Sequence, residues 1–227
     1  MTASSVLAEL LAVLAPPSCA ACRAALARAD RVLCVACVRA LPWLGRACPR
    51  CALPRHGRGG CPAAGAAFAA AWAPLAYDGV ARDLVRALKF GAALPLADVM
   101  AAHMAANLPR SLRGFDALVP VPPHPGRRRR RGYDPAGLLA AALARRLGAP
   151  LAACLERRGG GRRQVGAGRA QRRDPHRLTL HLRAPPPARA LLVDDVHTTG
   201  ATLDACARAL VAGGSDRVVA VSYARTL

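Results

Sequence analysis

The chain has 227 residues, which suits one α/β domain with a small appendage and is enough to bury a sizeable core. Its formal net charge of +20 is carried almost entirely by arginine, since Lys89 is the only lysine, and it fits either polyanion binding or a general compositional bias. The apolar N-terminal stretch is too short to span a bilayer and carries Glu9. We therefore expect that the protein is not an integral membrane protein.

In chain order, a short amphipathic helix is predicted over 5–14, and a cysteine-rich segment follows to about residue 65. Strands are then predicted within 66–77, 115–122, 150–155, 189–194 and 217–223, and helices over 80–90, 94–108, 135–147 and 200–212. Loops are predicted at 123–133 and 156–175. The alternation of strands and helices predicts an α/β fold with a mostly parallel sheet, preceded by a separate unit at 1–65.

The nine cysteines indicate the compartment. Seven lie between Cys19 and Cys61, while Cys154 and Cys206 have the apolar surroundings of core residues. The N-terminus lacks a basic region and a small-residue cleavage site, so we expect a reducing cytoplasm rather than secretion. In that setting, C-x2-C pairs usually bind metal.

The cysteine spacing predicts structural zinc. Four thiolates in two C-x2-C pairs can surround one ion, and these are Cys19, Cys22, Cys34 and Cys37. A second set contains only three thiols, and either His56 completes a Cys3His site or that site has decayed. Its residues are Cys48, Cys51, Cys61 and His56.

The stretch LLVDDVHTTGAT at 191–202 places two acids after an apolar strand and a threonine-rich turn before a helix. Asp194 and Asp195 could accept hydrogen bonds from vicinal hydroxyls, as on a ribose. Threonine hydroxyls and the free N–H groups of a helix N-terminus suit a phosphate, and Gly200 allows close backbone approach. A simple helix N-cap needs only one such residue. The stretch therefore predicts a site for a sugar 5-phosphate.

This stretch resembles the phosphoribosyl pyrophosphate (PRPP) motif of type I phosphoribosyltransferases. The resemblance implies that the paired acids hold the ribose hydroxyls, that the turn after them wraps the 5-phosphate, and that Mg2+ accompanies PRPP. The implied PRPP-binding residues are Asp194, Asp195, Val196, His197, Thr198, Thr199, Gly200, Ala201 and Thr202.

A second basic stretch, VPVPPHPGRRRRRGYDP at 119–135, has five arginines directly after a strand. Guanidinium groups suit the oxygens of a pyrophosphate or of a nucleic-acid backbone, although a solvated run of charges has the same composition. The candidate polyanion-binding residues here and in the following Gly- and Arg-rich segment are Arg127, Arg128, Arg131, Gly132, Arg157 and Arg173.

Taken together, these motifs resemble those of the ComF family of competence-type phosphoribosyltransferase-like proteins. It is carried by VPVP, by RGYDP at 131–135 where the family reads R-G-F-N-Q, and by YDGVARDLVRALKF at 77–90. The resemblance implies a type I phosphoribosyltransferase-like parallel sheet flanked by helices at 66–227, after a small N-terminal double zinc ribbon at 1–65. Segment 156–175 would be either a loop that closes over the reaction centre or a disordered basic loop.

Two functions follow as expectations. One is a phosphoribosyltransferase, a pentosyl-transferring enzyme whose acceptor and catalytic residues no motif identifies. The other, implied by the ComF resemblance, is handling of single-stranded DNA during natural transformation, with a DNA-translocating helicase or a membrane channel as partner. An inactive regulator that senses PRPP or binds nucleic acid is the alternative to both.

Overall fold

A computed structural model of the protein describes residues 17–28, 30–57, 59–91, 93–157 and 180–227, with Arg127 described by its backbone alone. The helix predicted over 5–14 and most of the loop predicted over 156–175 lie outside these residues. Among the helices that are described, none is long and apolar enough to cross a membrane.

The order of elements follows the predicted alternation of strands and helices. The helices are α1 (Val35–Arg39), α2 (Gly79–Phe90), α3 (Leu96–Asn107), α4 (Pro125–Arg131), α5 (Pro135–Leu147) and α6 (Ala201–Ala212), with a 3-10 turn at Arg110–Leu112. The strands are β1 (Ala70–Trp72), β2 (Leu75–Ala76), β3 (Ala117–Pro120), β4 (Leu155–Arg157), β5 (Leu180–Leu182), β6 (Arg189–His197) and β7 (Arg217–Arg225).

The central sheet is parallel. Its order is β1-β7-β6-β3, and β2 pairs with β7 beyond the end of β1. Strands β4 and β5 form a separate antiparallel pair. Both β6 and β7 are buried almost throughout, as expected for central strands covered on two faces. The prediction of an α/β fold with a mostly parallel sheet flanked by helices is confirmed.

Each face of the sheet has its own core. Successive residues of a strand point to opposite faces. On β6, Leu191 and Val193 pack with buried residues of α2, α3 and α5, whereas Ala190 and Leu192 pack with buried residues of α6. Among the described residues, three helices therefore cover one face of the sheet and one helix covers the other.

The cysteine-rich segment contributes to both cores. Cys19 and Cys37 belong to the core on the α2, α3 and α5 side, whereas Cys51 belongs to the core on the α6 side. Between these two halves, Trp43 forms an antiparallel bridge with Leu75. The segment therefore wraps around the β1 and β2 side of the sheet and covers an edge that would otherwise be open to pairing.

The arginine-rich stretch at 123–133 is the main correction to the predicted elements, because it contains helix α4 and not only a loop. The His124 side chain accepts a hydrogen bond from the Gly126 N–H at 3.1 Å, and Pro125 occupies the first turn. Gly132 ends the helix with a positive φ of 78°. Arginine is a good helix former, but the stretch has no apolar period by which the sequence could reveal a helix.

Two strand boundaries also differ from the predictions. Strand β6 continues past Asp194 to His197, because β7 pairs with it as far as Arg225. The strand predicted over 150–155 is reduced to a single bridge between Leu151 and Leu118. Pairing resumes only in β4, so Arg157 lies in a strand and not in a loop.

Candidate functional site

The paired acids lie near the carboxyl end of β6, which is the end where open α/β sheets bind ligands. Asp195 is 7% exposed, and its Oδ1 lies 2.8 Å from Nζ of Lys89 on α2. Lys89 was not predicted as a site residue. The only hint in the sequence was that a single lysine stands among 32 arginines at the end of a predicted helix.

Asp194 is held in a different environment from its neighbour. Burial, followed by the negative charge of Asp195, raises the pKa of Asp194 to about 7. Oδ1 of Asp194 accepts a hydrogen bond of 2.8 Å from the Asp195 N–H, which opposes the rise. A carboxyl with this pKa is close to its midpoint at neutral pH, so it can act as donor or acceptor toward a hydroxyl.

The turn after β6 spans Thr198 to Gly200 and leads directly into α6. Gly200 has φ +85°, and a Cβ built on it would lie 2.8 Å from Nε2 of His197. Only glycine suits this position, because it needs both the left-handed backbone and the close approach. The twelve-residue helix that follows begins at this turn, where the Ala201 N–H donates a hydrogen bond to Oγ1 of Thr199 at 3.4 Å, and the positive end of its dipole favours an anion.

His197 packs beneath the turn, on the side that faces the protein interior. Its side chain is buried and packs edge-on against Phe68, with ring centroids 6.2 Å apart. Burial, together with the charge of Arg225, lowers the pKa of His197 to about 4, so the imidazole is neutral at neutral pH. The His197 ring therefore packs under the motif. It does not line the cavity beside the paired acids.

The acids open onto a cavity of about 300 Å³. The predicted site residues in its wall are Arg128, Arg131, Arg157, Asp194, Asp195, Val196, Thr198 and Thr202. The remaining motif residues shape the turn without lining the cavity, and these are His197, Thr199, Gly200 and Ala201. The arginines of α4 and β4 thus share one cavity with the acids of β6. The side chain of Arg127 and all of Arg173 lie outside the described residues.

A second cavity of about 650 Å³ adjoins the first. The residues common to the two walls are Pro122, Pro123, Arg128, Asp134 and Arg157. The second wall also contains the predicted Gly132, Arg129 of the predicted arginine run, and Arg183, which was not predicted. The two cavities share these wall residues, and we refer to both cavities together as the basic groove.

Two residues just after α4 were not predicted as site residues. The Tyr133 hydroxyl donates a 2.7 Å hydrogen bond to the Leu88 carbonyl, which ties this part of the wall to α2 next to Lys89. Burial raises the pKa of Asp134, and its Oδ1 has no hydrogen-bond partner among the described atoms. The signal in the sequence was their position between a strand end and a helix start at the same sheet edge.

Arg131 is oriented by an aromatic ring. Its guanidinium carbon lies 4.7 Å from the centroid of Phe90. Its Nε is buried without a partner among the described atoms, so the group has unused capacity to donate a hydrogen bond.

Two clusters of thiols and imidazole occupy the cysteine-rich segment. The first metal cluster is Cys19, Cys22, Cys34 and Cys37, and the second metal cluster is Cys48, Cys51, His56 and Cys61. In each, the four ligand atoms lie within 4.8 Å of one another. The second cluster includes His56, so of the two alternatives the structure favours a complete Cys3His set. Four such donors fit tetrahedral zinc.

One thiol of each cluster has a lowered pKa, whereas burial raises the pKa of Cys37 and raises that of Cys51 to about 11. Burial would raise the pKa of Cys19, but backbone N–H groups, first that of Cys22, donate hydrogen bonds and lower it to about 6. Burial likewise opposes the shift of Cys48, whose pKa is lowered to about 6 by a hydrogen bond with His56 and by backbone N–H groups. The thiolate is the form that binds zinc, so each cluster has at least one ligand ionised at neutral pH.

Comparison with known families agrees with this geometry. Residues 10–65 match the double zinc ribbon domain. The N-terminal segment is therefore a zinc ribbon that contains both metal clusters, and structural zinc is the cofactor that these residues fit. A comparison with curated proteins finds no match to the chain.

Proposed function

We propose that the cavity beside β6 binds PRPP or a related ribose phosphate, and that the protein is a phosphoribosyltransferase-like protein of the ComF type. The observation that carries the proposal is that acidic, hydroxyl and basic side chains share one cavity. Asp194, Asp195, Thr198 and Thr202 line the same cavity as Arg128 and Arg131. A ribose 5-phosphate 1-diphosphate needs acceptors for its hydroxyls, donors for its 5-phosphate and cations for its diphosphate.

Each of these groups of side chains would bind a different part of the ligand. Asp194 and Asp195 accept hydrogen bonds from the two ribose hydroxyls, and the N-terminus of α6 with the Thr198 and Thr202 hydroxyls binds the 5-phosphate. Arg128 then faces the diphosphate. Mg2+ is expected to accompany PRPP and to neutralise part of the diphosphate charge.

In the transfer reaction that such a site supports, a nucleophile forms a bond to C1 of the ribose while the bond from C1 to the diphosphate oxygen breaks. The charge that develops on the leaving pyrophosphate is stabilised by arginines already in place, and the ribose is held in position by the acids. The type I phosphoribosyltransferase fold is part of the same proposal.

Isothermal titration tests the proposal. Zinc-loaded protein is titrated with PRPP and Mg2+, and separately with ribose 5-phosphate and with pyrophosphate. We expect micromolar binding of PRPP that is lost in the double variant Asp194→Asn, Asp195→Asn. The matched control is Asp78→Asn, Asp83→Asn, at the N-cap of α2 and within that helix, which alters two acids away from the cavity. A folded wild-type protein that binds none of the three ligands would contradict the proposal.

A second candidate function is binding of single-stranded nucleic acid. The observation that favours it is the second cavity, which has about twice the volume of the first. Its wall presents Arg128, Arg129 and Arg183. A role in DNA uptake in the cytoplasm, with a helicase or channel as partner, follows from the ComF resemblance and belongs to this candidate.

Salt dependence tests this second candidate. If Arg128 and Arg129 contact phosphates, replacing both by glutamine should reduce the slope of log K against log salt by about 1.4 for an oligothymidine, at about 0.7 per phosphate contact. Arg145 and Arg146 provide the control pair, because they lie in the last turn of α5 and outside both cavities. An unchanged slope in the α4 variant would exclude this groove as the DNA-binding surface.

A further inference from the structure

The most densely bonded buried charge in the described chain is Arg225, at the end of β7. It is 5% exposed, and its Nε donates a 2.9 Å hydrogen bond to the carbonyl of Cys51, a ligand of the second metal cluster. Its Nη1 donates to the carbonyl of His197 at 2.9 Å and to that of Thr198. One guanidinium therefore joins the backbone of a metal-binding knuckle to the backbone of the phosphate-binding turn.

A second connection runs through the same knuckle. Arg50 lies between the ligands Cys48 and Cys51, and its guanidinium donates to a run of backbone carbonyls. The accepting residues are Ala63, Ala64, Ala66, Phe68 and Ala69. Phe68, whose backbone carbonyl accepts one of these hydrogen bonds, packs its ring edge-on against His197 under the turn.

A third connection reaches α6, whose N-terminus completes the phosphate-binding turn. Oδ1 of Asp204 accepts a 2.7 Å hydrogen bond from the Ala67 N–H, and Arg208 donates to the Gly65 carbonyl at 3.1 Å. The chain that leaves the second metal cluster is thus bonded to the first two turns of this helix. All three connections start from the second metal cluster or from the chain segment directly after it.

The first metal cluster has no equivalent links. It packs against the opposite core, and none of the hydrogen bonds among the described residues joins it to Thr198–Gly200. The two clusters have similar chemistry and different positions relative to the site, so each serves as a control for the other.

We propose that the second metal cluster holds the phosphate-binding turn in its binding shape, with Arg225 as the positioning residue between them. A small ribbon has little core of its own and depends on its ion to keep its backbone fixed. Loss of zinc from the second cluster releases the Cys51 carbonyl, and the Thr198–Gly200 turn loses the support of Arg225 and Phe68. The consequence for ribose phosphate binding rests on the proposed function, whereas the link between cluster and turn does not.

Amide hydrogen exchange without any ligand tests the link. We compare Cys61→Ser, which removes a ligand of the second cluster, with Cys22→Ser, which makes the same change in the first. Zinc content is measured for both. We expect exchange across 197–202 to rise at least tenfold in Cys61→Ser and to stay within twofold of wild type in Cys22→Ser. An equal response in the two variants, or no response in Cys61→Ser, would overturn the proposal.

A second variant covers the case in which Cys61→Ser fails to fold. Arg225→Lys keeps the charge and both zinc ions, but a single ammonium cannot reproduce the forked donation to Cys51 and His197. We expect two zinc ions per chain, a folded protein and at least threefold faster exchange at 197–202. Unchanged exchange in this variant would show that Arg225 does not position the turn.

Titration with PRPP and Mg2+ then separates this inference from the proposed function. If wild type binds PRPP, we expect Arg225→Lys to bind at least tenfold more weakly. If wild type binds none while the contrast in exchange persists, the proposed function fails and the structural link stands.

Discussion

Replacing Asp194 by asparagine should stabilise the folded chain, and the gain should grow with pH. In the folded state, burial and the neighbouring charge of Asp195 raise the pKa of Asp194 from 3.8 to about 7. At about 1.4 kcal/mol per pKa unit, this rise corresponds to about 4 kcal/mol of stability lost once both states are ionised. Asparagine keeps the oxygen that accepts the Asp195 N–H and removes the charge.

The direction follows from proton linkage. Below pH 3.8 the carboxyl is protonated in both the folded and the unfolded state, so it costs nothing. Between pH 3.8 and about 7 the unfolded state ionises first, and the wild type loses stability as the pH rises. We therefore expect Asp194→Asn to exceed wild type by about 2 kcal/mol at pH 5.5 and by about 4 kcal/mol at pH 8.

Urea unfolding of the zinc-loaded protein at several pH values measures this difference. Asp216→Asn is the matched control, because that acid is exposed on the surface after α6. Its stability should follow wild type at every pH. If Asp194→Asn were no more stable than wild type at pH 8, Asp194 would ionise without penalty, and the environment inferred for the site would be wrong.

Three further outcomes are expected. Gly200→Ala should cost at least about 1 kcal/mol more than Gly214→Ala in the same unfolding assay, because both have a positive φ and only the first meets an atom at 2.8 Å. Lys89→Met should cost about 2 kcal/mol by leaving the Asp195 carboxylate buried without its cation, and adding Asp195→Asn should recover part of that loss in a double-mutant cycle. Metal analysis should find two zinc ions per chain, and a chelator should lower the melting temperature; a single ion in the folded wild type would contradict the Cys3His set.

The elements that the sequence predicted well carry their own boundary signals. Helix α5 begins at Pro135 and ends at Leu147, with Gly148 as its C-cap, as predicted, because proline suits a first helical turn and glycine accepts the left-handed backbone that follows. The position of the paired acids and of the glycine turn was equally predictable from the sequence, because a strand, a turn and a helix in succession place them at one sheet edge.

The residues that the sequence did not predict depend on contacts between distant parts of the chain. Lys89 is 106 positions from Asp195, and nothing local to either residue indicates their ion pair. Helix α4 escaped prediction because its faces carry arginine and no apolar stripe. Nothing in the sequence around Arg225 indicates its role, yet its side chain spans two sites that are 146 residues apart, at Cys51 and His197.

The position of β7 in the sheet has a consequence for assembly. Strands β1 and β6 are made before β7, but β7 lies between them in the sheet and is the strand with which both of them pair. The central sheet therefore cannot close during synthesis until residues 217–225 have left the ribosome, and pairings of long sequence separation form late. The zinc ribbon, which depends on local thiols, can bind its ions well before that moment. We expect the nascent chain to pass through a state in which a folded ribbon precedes an unpaired β6, and a chaperone would find its exposed apolar strand there.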